Sequence, residues 1–117
     1  TQAETDWVDA QAQATGVERS WFFTLLWATK ESVIKARPGV GTAIWCLTDL
    51  EIRFRTPAVD WAALHGQTAF GSVFQHCIAD IRDNSGQYRA DVGVTASRQT
   101  ILTIVEFEEV NYERIVG

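Results

Sequence analysis

The chain has 117 residues, 46% of them hydrophobic and 21% charged, enough for one globular domain with a real core and too few for two. High apolar content without a biased segment excludes collagenous, low-complexity and disordered chains, and no apolar run approaches the ~20 residues of a bilayer span. Ten basic against fifteen acidic residues leave a net charge of −5, which argues against a general nucleic-acid binder.

Methionine is absent, so Thr1 is not expected to be a translational start, and no signal-peptide pattern opens the sequence. Thr5 to Thr15 predicts a short helix with a partial apolar face from Trp7, Val8, Ala10 and Ala14, stopped at Gly16. Thr15 and Glu18 have capping-box spacing for a second helix. That helix runs from Val17 to Ala36 with a wide apolar face (Phe22, Phe23, Leu26, Trp27, Ile34), and Arg37-Pro38-Gly39 ends it.

Beyond it the period changes to two. Leu47, Leu50, Ile52 and Phe54, around Arg53 and Arg55, predict a half-exposed strand with the two arginines on its solvated face. An irregular stretch from Pro57 to Gly71 contains one helical turn at Asp60-Trp61-Ala62-Ala63-Leu64. Ser72 to Arg82 is a second strand with Val73, Cys77, Ala79 and Ile81 on one side. Asp83-Asn84-Ser85-Gly86 is a turn, and Gln87 to Ala96 and Thr100 to Phe107 complete the set, with Glu106, Glu108 and Glu109 as an exposed end. The expected architecture is a single α+β domain over 1–117, its long helix packed on an antiparallel β-meander.

Several chemistries have no signature here. Cys46 and Cys77 lie in apolar stretches and read as buried, reduced packing residues. His65 and His76 form no zinc-like spacing with them, and neither a nucleophilic Ser–His or Cys–His pattern nor a glycine-rich phosphate loop occurs. The charge distribution is more informative. Residues 19–55 carry six bases and three acids, a local +3, against −8 for the remainder, which suits an anionic ligand. Eight of the ten bases are arginine, and the two lysines, Lys30 and Lys35, sit together on the long helix.

That helix carries the one constellation with chemical content, Trp27-Ala28-Thr29-Lys30-Glu31-Ser32-Val33-Ile34-Lys35. Glu31 and Lys35 are i,i+4 neighbours, and the ordinary reading is a stabilising surface pair worth ~0.2–0.5 kcal/mol. The alternative is a carboxylate able to hold a hard cation such as magnesium, flanked by ammonium groups for phosphate oxygens.

The run WATKESVIKA resembles the W-x-x-K-E-[SA]-x-x-K signature of the 4′-phosphopantetheinyl transferases. Its setting is similar too. Trp21, Phe22 and Phe23 precede it, Arg-Pro-Gly-Val-Gly follows, and strand, Asn-Ser-Gly-Gln-Tyr turn, strand and TILTIVEFEE close the chain. The likeness covers nearly the whole chain, as the C-terminal lobe of the larger two-lobed type that resembles the surfactin-synthetase-activating enzyme.

The resemblance implies transfer of the phosphopantetheine arm of coenzyme A to a serine of an apo carrier protein of fatty-acid, polyketide or nonribosomal-peptide synthesis, with magnesium, in the cytoplasm. It implies Glu31 as magnesium ligand and helper in deprotonating the carrier serine, Lys30 on a coenzyme A phosphate, and Lys35 at the pyrophosphate, neutralising the leaving 3′,5′-ADP. The family's other metal carboxylates belong to a Gly-[Ile/Val]-Asp-x-Glu segment that is absent here. Asp6 and Asp9 lack its glycine turn and strand context. The short trimeric type carries both motifs in each chain and does not fit. The expectation is therefore one wall of a site shared with a partner lobe. The alternatives are a non-catalytic lobe retained for packing or carrier docking, and an unrelated small-ligand-binding domain. Of the five tryptophans most are expected to be core or lobe-interface anchors, with Trp45 or Trp61 as candidates to line a carrier surface.

Overall fold

The computed structural model of the chain describes residues 1–36, 50–55, 59–68, 70–71, 73–83 and 86–107. The expectations for Arg37-Pro38-Gly39, Trp45, Cys46, Leu47, Asn84-Ser85, Glu108 and Glu109 lie outside them.

Helix α1 spans Gln2–Thr15, three residues longer at its start than its apolar pattern predicts. The reason is the cap. Thr1 Oγ1 accepts the Glu4 N–H (3.2 Å) while the Glu4 carboxylate reaches back to the Thr1 nitrogen (3.0 Å), a capping box at Thr-x-x-Glu spacing. Gly16 ends α1 at φ 75°, where a side chain would be strained.

The same spacing at Thr15 and Glu18 is used differently. Thr15 Oγ1 donates to the Gln11 carbonyl (2.7 Å) and accepts the Val17 N–H (3.2 Å), and the Glu18 carboxylate turns to His65. Helix α2 accordingly begins two residues late and spans Arg19–Ala36, burying Trp21, Phe22, Leu25, Leu26 and Val33. Phe23 and Trp27, expected on the apolar face, are exposed.

Four strands follow, β1 (Glu51–Phe54), β2 (Gln75–Asp83), β3 (Gly86–Ala96) and β4 (Ile101–Phe107), paired in sequence order as an antiparallel sheet. The short helix α3 (Trp61–His65) lies between β1 and β2, capped by Asp60 Oδ1 accepting the Ala63 N–H at 3.1 Å. The α+β architecture expected from the sequence is thus present, as a helix pair and a four-stranded meander.

Register sorts the faces. Rows Ile52–Ile81, Phe54–Ala79–Ala90 and Cys77–Val92–Val105 point into the core with Val94 and Thr103. Arg53, Asp80 and Arg89 form a row on the opposite face, a cross-strand ladder in which Arg55 also chelates Asp80 through two 2.8 Å bonds. The two arginines of β1 are therefore on the outward face, as their alternation predicts. Strand β2 starts three residues later than expected, and Val73 is exposed.

The core is centred on packed aromatics. Trp7 meets Phe22, Phe54 and Trp61 at centroid distances of 5.7, 5.3 and 6.1 Å, and Trp21 meets Phe22 at 5.2 Å. Each such pair adds about 0.5–1.5 kcal/mol beyond area burial. Trp61 is 1% exposed, so it cannot line a carrier surface; the helical turn at 60–64 directs its indole inward against Trp7 and Phe54. Cys77 is a buried free thiol, its pKa pushed up to about 11 by desolvation first and the Asp91 carboxylate second, which matches the packing role. No described helix is long and apolar enough to cross a membrane.

Candidate functional site

Helix α2 turns one face to the sheet and leaves another uncovered. Residues four apart drift by about 40° around a helix, so Phe23, Trp27, Glu31 and Lys35 form one slowly winding stripe. Phe23 is 40% exposed and Trp27 56%, Glu31 is half-buried and Lys35 exposed. Two aromatic rings thus lead directly to the carboxylate and the ammonium that the motif singles out.

Glu31 and Lys35 do not behave as an ordinary surface pair. Among the described residues neither side chain has a hydrogen-bond or ion-pair partner, although their spacing would permit one.

Lys30 is placed differently. It is 7% exposed, and its ammonium lies 2.8 Å from Glu4 Oε1. The other Glu4 oxygen accepts the Ile52 N–H at 2.9 Å, so one buried carboxylate ties α1, α2 and β1 together. Glu4 itself is 4% exposed and was not a candidate from sequence. Its only local sign is the capping-box position; its partnership with Lys30 spans 26 residues. The pair forms the floor of an open groove of about 210 Å³, walled by Phe23, Leu26 and Trp27 with Thr5 opposite.

The opposite flank of α2 is bound to β4. Ser32 Oγ lies 2.6 Å from Thr103 Oγ1 and 3.1 Å from the Thr103 carbonyl, and Thr103 Oγ1 donates to the Ala28 carbonyl at 3.0 Å. At the other end of the helix, Trp21 Nε1 donates to the Ser97 carbonyl at 3.0 Å. Ser32 and Thr103 carry no chemical signal in the sequence beyond Ser32's place in the motif.

The fit to magnesium can be judged from the donors present. Among the described residues no three His, Cys, Asp or Glu side chains converge on a point that could hold a metal ion. Asp6 and Asp9 do not supplement Glu31. Both are exposed on α1, where Asp6 accepts from Gln2 (2.8 Å) and Asp9 pairs with Arg19 (2.6 Å). Glu31 offers one carboxylate, which suits magnesium only where phosphate oxygens, water or a second chain segment complete the shell.

No family model matches this chain, and neither the curated proteins nor the solved structures contain a match to it.

Proposed function

We propose that this chain is the motif-bearing lobe of a 4′-phosphopantetheinyl transferase, acting in the cytoplasm on coenzyme A and an apo acyl or peptidyl carrier protein. The observation that carries the reading is the exposed stripe of α2, where a carboxylate and an ammonium without an ion-pair partner among the described residues continue a pair of exposed aromatic rings. A partner lobe bearing the Gly-Ile/Val-Asp-x-Glu motif, in cis or in trans, would cover the rings and add the carboxylates that Glu31 lacks.

In the transfer, the carrier serine oxygen forms a bond to the phosphorus bearing the pantetheine arm, and the pyrophosphate P–O bond breaks. The serine proton passes to Glu31, directly or through water. Lys35 neutralises the negative charge that grows on the departing 3′,5′-ADP, the kind of fixed electrostatic stabilisation on which phosphoryl-type transfer depends. Magnesium, held by Glu31 with the partner's carboxylates and the pyrophosphate, would supply Lewis-acid polarisation. Lys30 has its charge matched by Glu4 and serves to hold α2 against α1 and β1; its contribution to phosphate binding in this proposal is secondary.

A non-catalytic docking lobe is the second reading, favoured by the single carboxylate at the site. Mass analysis decides between them. The natural polypeptide containing these residues, incubated with coenzyme A, magnesium and an apo carrier protein, is expected to add the phosphopantetheine mass to the carrier. Glu31→Gln should lower the rate by about 10²–10³-fold, the cost of removing one electrostatic stabiliser. No mass gain, together with unchanged coenzyme A affinity in Glu31→Gln, would refute the enzyme.

A further inference from the structure

We infer that the face of the sheet turned away from the helices is a docking surface for a second copy of this chain, an interface that does not rest on the transferase reading. Side chains alternate along each strand, and the register gathers the outward ones into rows. Arg53, Asp80 and Arg89 form one row. The Arg55 N–H donates to the Ile78 carbonyl (2.8 Å), so the next row reads Arg55, Ile78, Asp91 and Glu106 across all four strands. His76, Gly93 and Ile104 make the third.

Ile78, Leu102 and Ile104 are exposed on this face, and among the described residues Arg82, Arg89 and Glu106 have no ion-pair partner. Apolar side chains thus stand beside unmatched charges of both signs. The centre of the face is low. A Cβ at Gly93 would meet the His76 ring at 3.0 Å, so that ring lies across the strand and leaves room for a second sheet to approach.

The order of charges selects the occupant. A two-fold axis parallel to the strands, between β2 and β3, reverses the order of the strands and preserves the rows. Two sheets packed in this way lie face to face about 10 Å apart. Asp80 then faces Arg89 of the second copy, and Arg55 faces Glu106 of the second copy. Each of these contacts occurs twice, as a self-complementary interface requires. Ile78 faces Asp91 of the second copy, which is the one mismatch. A two-fold axis running across the strands through the same row would instead set Asp91 on Asp91 and Glu106 on Glu106, like charge on like.

Strands about 4.8 Å apart and rows about 6.7 Å apart give the face roughly 500 Å² per copy. The total of about 1,000 Å² is the lower bound of a specific interface, so the dimer is reversible, with a Kd of about 10–100 μM.

Sedimentation equilibrium of the natural polypeptide, from about 1 to about 500 μM, is expected to show this dimer. Arg89→Glu sets a carboxylate against Asp80 of the second copy, and Ile78→Asp sets one against its Asp91. Each should raise Kd by at least about 10-fold. Asp91→Ala removes the mismatch and should lower Kd by about 3–10-fold, whereas Asp6→Ala, the same change in net charge on α1, should leave it unaltered. All four side chains are exposed, so the variants are expected to keep the fold, checked by far-UV circular dichroism. A monomer across the whole range, a dimer indifferent to both Arg89→Glu and Ile78→Asp, or an Asp91→Ala protein indistinguishable from Asp6→Ala would overturn the interface. Mass is the only readout, so the absence of transferase activity would leave this inference standing.

Discussion

Replacing Lys30 with methionine removes a buried charge and keeps most of the side-chain volume, and its cost is set by what remains. Glu4 would stay buried with one oxygen on the Ile52 N–H and the other on the Thr1 nitrogen, its main counter-ion gone. Breaking a buried pair from one side costs about 3–5 kcal/mol because the surviving charge is uncompensated. The two N–H donors that still hydrogen-bond the carboxylate offset part of this, so the lower end, about 3 kcal/mol, is expected. For a domain of this size that corresponds to a fall in Tm of roughly 10–20 °C. Adding Glu4→Gln should restore about 1–2 kcal/mol, since an amide oxygen can still accept from Ile52 and carries no charge to strand. Urea unfolding followed by tryptophan fluorescence measures all three proteins, with a constant slope confirming a common unfolding reaction. A Lys30→Met protein as stable as the wild type, or a double variant less stable than either single, would refute the buried-pair argument.

Two further outcomes follow from the titrating groups. The Cys77 thiol, with its pKa raised to about 11, should resist alkylation at pH 8 in the native state and react on unfolding, read from the mass of its peptide. Because the unfolded thiol ionises near 9.0, its contribution to stability is lost as pH rises between those values; ready native labelling would contradict the buried placement. The hydrogen bonds from Arg55, reinforced by the charges of Arg55, Arg89 and Arg53, hold the Asp80 carboxyl below its ordinary value. The stabilisation is present above the unfolded pKa of 3.8 and disappears as pH falls through the folded one. Asp80→Asn should therefore cost at most about 1 kcal/mol at neutral pH, the side chain being 41% exposed, and nothing in stronger acid. An equal cost at pH 7 and pH 2 would assign the effect to packing instead.

How much of this was legible in the sequence depends on the range of the interaction. Period two in Ile52–Phe54 and Cys77–Ile81, β-branched content in 101–107 and the glycine stop at Gly16 are local, and the corresponding elements formed close to where they were expected. Capping was ambiguous because Thr1–Glu4 and Thr15–Glu18 have identical spacing, and only the position of His65, 47 residues from Glu18, decides which glutamate turns away. Apolarity likewise could not distinguish Trp61, which points inward from its short helix, from Trp27, which points out of a long one. At the site, the motif placed Glu31 and Lys35 on one side of α2 from spacing alone. It could not separate Lys30 from them, since the partner that removes Lys30 from the surface comes from α1.

The bonds that hold α2 to the sheet join Trp21 to Ser97 and Ser32 to Thr103, across 76 and 71 positions of the chain. A ribosome delivers the motif before its anchors. Until Ser97 and Thr103 have been synthesised, α2 lacks both of these bonds, and such non-local contacts form slowly because the intervening chain must first be closed. The motif helix is thus made some 70 positions before the residues that fix its orientation on the sheet. Translation interrupted before Ser97 would yield the whole motif and neither of these anchors.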